Sequence, residues 1–267
     1  MPVTLPGGYM PARSTKALWR SAALAAVLAC AVPRLSAQTV DEVIARNVEA
    51  RGGKERLKAV SSVRTVARFS QGPLRAEFRQ ENKRPGRVRE EFALQGMAQI
   101  QAFDGKEAWQ VSPFGGRKDP ERMSEDDAKS LRVDADMDGP LVEYKEKGHQ
   151  AELVGHDSME GTDCFKIKLS MKNGDVRYYY LDADSFLELK VEVQTTIRGT
   201  LQESELYYGD YEEVNGIYYP FSIVQAQKGS DSRVQFQVLK VEQNVSLDDA
   251  RFSMPPGKPA EKPPAAK

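Results

Sequence analysis

The sequence predicts a mainly β fold with an α-helical lid: an antiparallel β-barrel, closed or unclosed, of about 11 to 12 strands covered by helices. Three observations carry this expectation. From Val63 onward apolar and charged residues alternate, the period of a strand with one covered face. Turn chemistry at Glu160-Gly161, Asn173-Gly174-Asp175, Ala183-Asp184-Ser185 and Asn215-Gly216 joins consecutive strands as antiparallel hairpins. Strand twist accumulates over so many short strands, which curls the sheet into a barrel or half-barrel.

The elements follow in order. Thr39-Val40-Asp41-Glu42 has the pattern of a capping box and predicts a helix with Val40, Val43, Ile44 and Val48 on one side, ending at Gly52-Gly53. A second short helix is expected over 54–60. Strands are expected over 63–69, 74–79, 88–94 and 97–103. Asp104-Gly105 then predicts a two-residue hairpin turn. On the next strand Trp109 and Val111 share one face and Ala108 and Gln110 the other, and the Trp109 face is expected to be the concave one. Ser112-Pro113 stops this strand, and Phe114-Gly115-Gly116 opens a charged excursion. Two helices, over 124–137 and 139–147, are expected above the barrel mouth. Strands resume over 153–156, 165–171, 176–182, 187–197, 201–211, 217–226 and 234–241. The tail 255–267, rich in Pro, Ala and Lys, has too few apolar groups to fold and is expected to be disordered.

Residues 1–37 have the parts of a secretory signal: a positive head of Arg13, Lys16 and Arg20, an apolar run over 21–32, and Leu35-Ser36-Ala37 at the cut. Export to the periplasm is expected. Cys30 after Val27-Leu28-Ala29 offers lipoprotein processing as an alternative. Cleavage after Ala37 removes four positive charges and no negative one, so the formal net charge moves from −1 to −5. That balance argues against nucleic acid, which asks for clustered Lys and Arg. Cys164 is then the lone thiol and reads as a small strand residue. The chain is expected to be monomeric.

GxSxG, HExxH, CxxC, P-loop and dinucleotide-turn motifs are all absent. His149 and His156 read as solvated side chains rather than a metal pair. The adjacent carboxylates Glu90-Glu91, Asp126-Asp127 and Glu212-Glu213 read as solvated surface, because neighbours on a strand point to opposite faces. No catalytic residue, metal or cofactor is expected. Strand phase instead places Phe78, Phe92, Trp109, Phe165, Tyr178, Leu189, Val191, Phe221 and Phe236 on an inner face that could line an apolar ligand cavity.

Lys83-Arg84-Pro85, Asp104-Gly105-Lys106 with Trp109 and Pro113-Phe114, and Asp249-Ala250-Arg251-Phe252 with Pro255-Pro256-Gly257 resemble, in order and spacing, the periplasmic lipoprotein carriers of the LolA type. The resemblance spans most of the chain after residue 37. It implies an open barrel with a helical lid over a cavity for lipoprotein acyl chains, loaded from an inner-membrane ABC transporter and unloaded to an outer-membrane receptor of the same fold. It also implies that Arg84 ties the lid to the barrel. The chain departs from the pattern at Val88, where the carriers have an aromatic, and in its longer, more charged 115–120 segment. Two other readings stay open: a lipid-anchored receptor or scaffold if Cys30 is acylated, and a module for a free lipid or apolar small molecule.

Overall fold

The computed structural model describes residues 38–256. The expected signal segment with Cys30, and the tail beyond residue 256, lie outside the described residues. Thr39 Oγ1 accepts from the Glu42 amide at 3.2 Å, and Glu42 Oε2 accepts from the Thr39 amide at 2.8 Å. This reciprocal cap starts α1 (Val40–Ala50). The chain then turns at Gly52, where only glycine fits: φ is +127°, and a Cβ would lie 2.3 Å from the Gly216 carbonyl oxygen. α2 (Lys54–Ala59) follows directly.

One antiparallel sheet of 13 strands makes up the rest of the framework. Its first part is a meander of β1 (Ser62–Gln71), β2 (Leu74–Lys83), β3 (Arg87–Leu94), β4 (Met97–Phe103), β5 (Ala108–Ser112) and β6 (Arg117–Arg122). The lid segment with α3 (Lys129–Asp134) intervenes. A second meander runs through β7 (Gln150–Met159), β8 (Thr162–Ser170), β9 (Val176–Asp182), β10 (Glu188–Ile197), β11 (Thr200–Val214), β12 (Ile217–Gln227) and β13 (Arg233–Gln243). β13 pairs with β1, which joins the two meanders, while β6 and β7 are left as unpaired edges. The sheet is therefore open, as the resemblance to the carriers implies.

Three details differ from the sequence expectation. The charged excursion contains β6, which pairs Trp109 with Arg122 and Gln110 with Glu121. It has no apolar alternation because an edge strand needs only backbone pairing, and Pro120 is tolerated there. The Asp104 turn is a four-residue loop, since Phe103 pairs with Ala108. Asp104 Oδ1 accepts from the Lys106 and Glu107 amides at 2.8 Å each, and Gly105 supplies a φ of 99°. Lastly, the two expected lid helices reduce to α3 and a series of turns over 136–148. Those turns bury Leu141, Val142 and Tyr144 and are held by ion pairs rather than by helical periodicity.

Register divides the sheet into a lid face and an outer face. Val88, Phe103 and Ala108 align on the lid face, where Ala128, Leu131 and Ala135 pack against them. Farther along that face Val43 and Ile44 of α1 and Leu141 of the lid bury Phe165, Ile167, Leu169, Leu181 and Val191. Each such side chain contributes roughly 1.5–3 kcal/mol on burial.

Glu81, Arg89, Ala102 and Trp109 align on the outer face. Trp109 thus points opposite to the sequence expectation. The reason is steric: α3 approaches the sheet through Leu131 and its two cap residues Ala128 and Ala135, and Ala108 is the residue that leaves room for them. Trp109 is instead covered by the C-terminal strap. Its Nε1 donates to the Phe252 carbonyl at 2.7 Å, and the Arg89 guanidinium lies 5.8 Å from its ring centre. The strap is pinned twice more. Arg251 Nε meets Glu81 Oε2 at 2.6 Å, and Asp249 Oδ1 accepts from Lys83 and Arg87 at 2.6 and 2.8 Å. Trp109→Ala is expected to cost about 3–5 kcal/mol through the cavity it opens, read as a lowered thermal midpoint. Since the residue faces away from the lid, lipid binding by the folded fraction should persist; its loss would return Trp109 to the cavity.

Candidate ligand cavity and its latch

Arg84 follows β2 and reaches two lid elements at once, the end of α2 and the turn at Asp138. Nε donates to the Val60 carbonyl at 2.7 Å, Nη2 to the Leu57 carbonyl at 2.9 Å, and Nη1 and Nη2 to the Asp138 carboxylate at 3.0 and 2.5 Å. A planar fork suits this task, because two edges serve the carbonyls at the end of α2 and a carboxylate simultaneously. Asp138 is almost fully buried and also meets Lys58 at 3.1 Å. Burial pushes its carboxyl up, but Arg84 and Lys58 outweigh burial and hold it below the ordinary value. Glu143, held down to about 2 by Lys54 and Lys58, extends the network along the lid. The opposite side of the lid is fixed to the β10–β11 hairpin, where Lys129 Nζ donates to the Thr196 carbonyl at 2.6 Å and the Arg198 amide to Asp126 at 3.0 Å.

Beneath the latch lies a cavity of about 330 Å³ between the lid and the sheet. Leu57, Met137, Ile223, Val238 and Val191 supply apolar walls. The cavity also has a polar side, formed by Asp134, Arg177, Tyr179, Glu188, Tyr208 and Tyr211. Tyr211 Oη donates to the Glu188 carbonyl at 2.9 Å and approaches its carboxylate at 3.3 Å. Burial pushes Asp134 up to about 6, against the pull of Arg177. Glu90, next to the cavity and accepting from Gln80 Nε2 at 3.3 Å, is pushed up to about 8 by burial and by Asp134.

The residues expected on the inner face separate into groups. Val191 lines the cavity. Phe78, Phe221 and Phe236 pack against Ala67, Val238 and Val241 beside it, and Phe92 joins them through Phe69 at 4.7 Å between ring centres. Phe165 is sealed in the core, stacked on Phe186 at 5.5 Å. Trp109 and Tyr178 are on the outer face, where Lys166 lies 5.6 Å from the Tyr178 ring. Leu189 falls in the register shift between Glu188 and Lys190, and Glu188 takes the cavity position that strict alternation gives to Leu189. The Glu90-Glu91 pair is not uniformly solvated: Glu91 meets Arg89 at 3.1 Å on the outer face, while Glu90 turns inward. His149 accepts from the Lys172 amide at 3.1 Å, and His156 packs on Phe165, so the two do not converge. Among the described residues no group of three or more His, Cys, Asp or Glu is placed to hold a metal ion.

Sequence reasoning missed the polar side of the cavity. Its signal was present: Arg177 keeps phase with Tyr179 and Leu181, and Glu90 with Val88 and Phe92, so each is a charge on an otherwise apolar face.

An open antiparallel barrel with a helical lid latched over an internal cavity is the LolA-type fold. Solved structures agree. The chain is similar to a LolA superfamily protein from Nitrosomonas europaea, with a TM-score of 0.55 and 14% identity over 81% of this chain and 98% of that one. It is also similar to a domain from Vibrio parahaemolyticus provisionally described as an outer membrane lipoprotein-sorting protein, with a TM-score of 0.54 and 13% identity over 78% and 94% of the two chains. A DUF1329 family protein from Desulfovibrio piger matches with a TM-score of 0.52 and 15% identity over 81% and 98%. No family model and no curated protein matches the sequence. Identities this low establish a shared fold.

Proposed function

We propose that the protein is a non-enzymatic periplasmic carrier that holds acyl chains of lipoproteins or lipids between sheet and lid on their way to the outer membrane. The cavity of about 330 Å³ beneath the Arg84 latch carries this reading. Its volume is that of a small-molecule site, and Val238 of its wall packs against the Phe78 and Phe236 row, which extends the same apolar face beyond it. Transfer of hydrocarbon from water into such a path yields roughly 0.8 kcal/mol per CH₂, so one chain suffices for firm binding. The lipoprotein-sorting description of the Vibrio parahaemolyticus domain supports the same reading. An inner-membrane ABC transporter as donor and an outer-membrane receptor as acceptor are the partners that the LolA resemblance implies.

Native mass spectrometry of protein purified from its own cell envelope tests this. The expected spectrum shows an acyl-bearing adduct, and Ile223→Trp, which fills the cavity from a half-buried wall position, should remove the adduct with little change in melting. An adduct-free wild-type protein would sink the proposal. The same spectrum reads the mature N-terminus: Gln38 indicates a mobile carrier, and an acylated Cys30 an anchored receptor of the same fold.

A further inference from the structure

The polar side of the cavity is incompletely paired. Arg177 Nε and Tyr179 Oη are both buried and neither meets a partner at full hydrogen-bond geometry, although the guanidinium and the phenol stand close enough to interact with one another. They stand two residues apart on β9, both on the lid face and both lining the cavity. The neighbouring charges do not complete them. Asp134 acts on Arg177 through space, Glu188 is engaged by Tyr211, and Arg51, the other guanidinium of the lining, donates to the Asp138 carbonyl at 3.0 Å. Buried donors without acceptors are costly, and a guanidinium beside a phenol is the pair that an oxyanion satisfies.

The opposite end of the same face is aromatic. Phe69 meets Phe92 and Phe236 edge to face at 4.7 and 5.5 Å, and Phe78 meets Phe236 at 5.0 Å. These rings are only half-buried, and Val238 connects them to the cavity. One face thus runs from a guanidinium with a buried, unpartnered Nε–H to a partly open hydrocarbon surface.

We propose that Arg177 and Tyr179 form a head-group site for an amphiphile with an anionic oxygen head, a fatty carboxylate or an acyl phosphate ester. The proposal rests on the acyl-binding reading and adds an orientation: the head lies under the lid at β9, and the chain follows the aromatic row toward β1 and β2. It also adds selectivity. A neutral acyl group leaves Arg177 and Tyr179 as they are, whereas an oxyanion pairs both, so charged amphiphiles are favoured over their esters.

Fluorescence titration of the delipidated protein with cis-parinaric acid and with its methyl ester tests this. The acid is expected to bind at least about tenfold more tightly, the scale of a charge-assisted hydrogen bond. Arg177→Met should erase that difference by weakening the acid far more than the ester, and Arg177→Lys should restore part of it. Tyr179→Phe should weaken the acid alone, and carries the test if Arg177→Met does not fold. Displacement by dodecanoate and by dodecyl phosphate then distinguishes a carboxylate head from a phosphate head. Equal affinity for acid and ester, or equal loss of both in Arg177→Met, would overturn the head-group site and leave acyl binding standing. Binding of neither probe would overturn both.

Discussion

Arg84→Ala is expected to destabilise the protein by roughly 3–5 kcal/mol and to free the lid before the sheet, because it strands the buried Asp138 carboxylate with only Lys58 beside it. Two carbonyls at the end of α2 lose their donor in the same step. Hydrogen exchange should rise first over 54–60 and 136–142, with the β8–β10 core unchanged. Arg84→Lys keeps the charge but lacks the fork, so it should recover the Asp138 pair and not the carbonyl contacts. The latch also has a pH signature. A carboxylate held below its ordinary value contributes fully above the unfolded aspartate pKa near 3.8 and loses that contribution as pH falls through its folded value. The variant should therefore differ most from wild type at neutral pH and converge with it in acid. Unchanged exchange in both lid segments would show that Arg84 does not hold the lid.

Glu90→Gln is expected to act in the opposite direction, stabilising the protein at alkaline pH. An unfolded glutamate titrates near 4.5, and Glu90 in the folded chain near 8. Between those values the unfolded state releases its proton first, so stability falls as pH rises, by up to about 1.4 kcal/mol per unit, and the loss is complete above about 8. Glutamine keeps the shape and the Gln80 contact without the ionisation, and should flatten that slope; at pH 9 the variant should melt above wild type by an amount on the order of a few kcal/mol. Asp134, raised to about 6 in the same enclosure, adds a loss of the same sign over a narrower window below neutrality. Parallel melting curves for variant and wild type from pH 5 to 9 would place Glu90 in solvent.

Much of the architecture was legible because it is local. The Thr39 cap, the Gly52 turn and the hairpin joints are decided by residues within a few positions of one another, and period-two alternation reports which strands have a covered face. Arg84 could be read from a short motif as a tie between lid and barrel. Asp138 could not, since it lies 54 residues away in a segment with no regular period.

The inner-face residues show where alternation stops being informative. It states that Trp109 and Ala108 are on opposite faces, not which face carries the lid; α3 decided that by packing Leu131 and its cap alanines on Ala108, and the Phe252 strap covered the indole. At Leu189 a bulge exchanged one residue for its neighbour. The sequence alone determined a meander of strands with a helical cap, because turns and alternation are short-range properties. Tertiary structure decided that the cavity has a charged side at Arg177 and Asp134, because the burial of a polar group depends on what a distant segment lays over it.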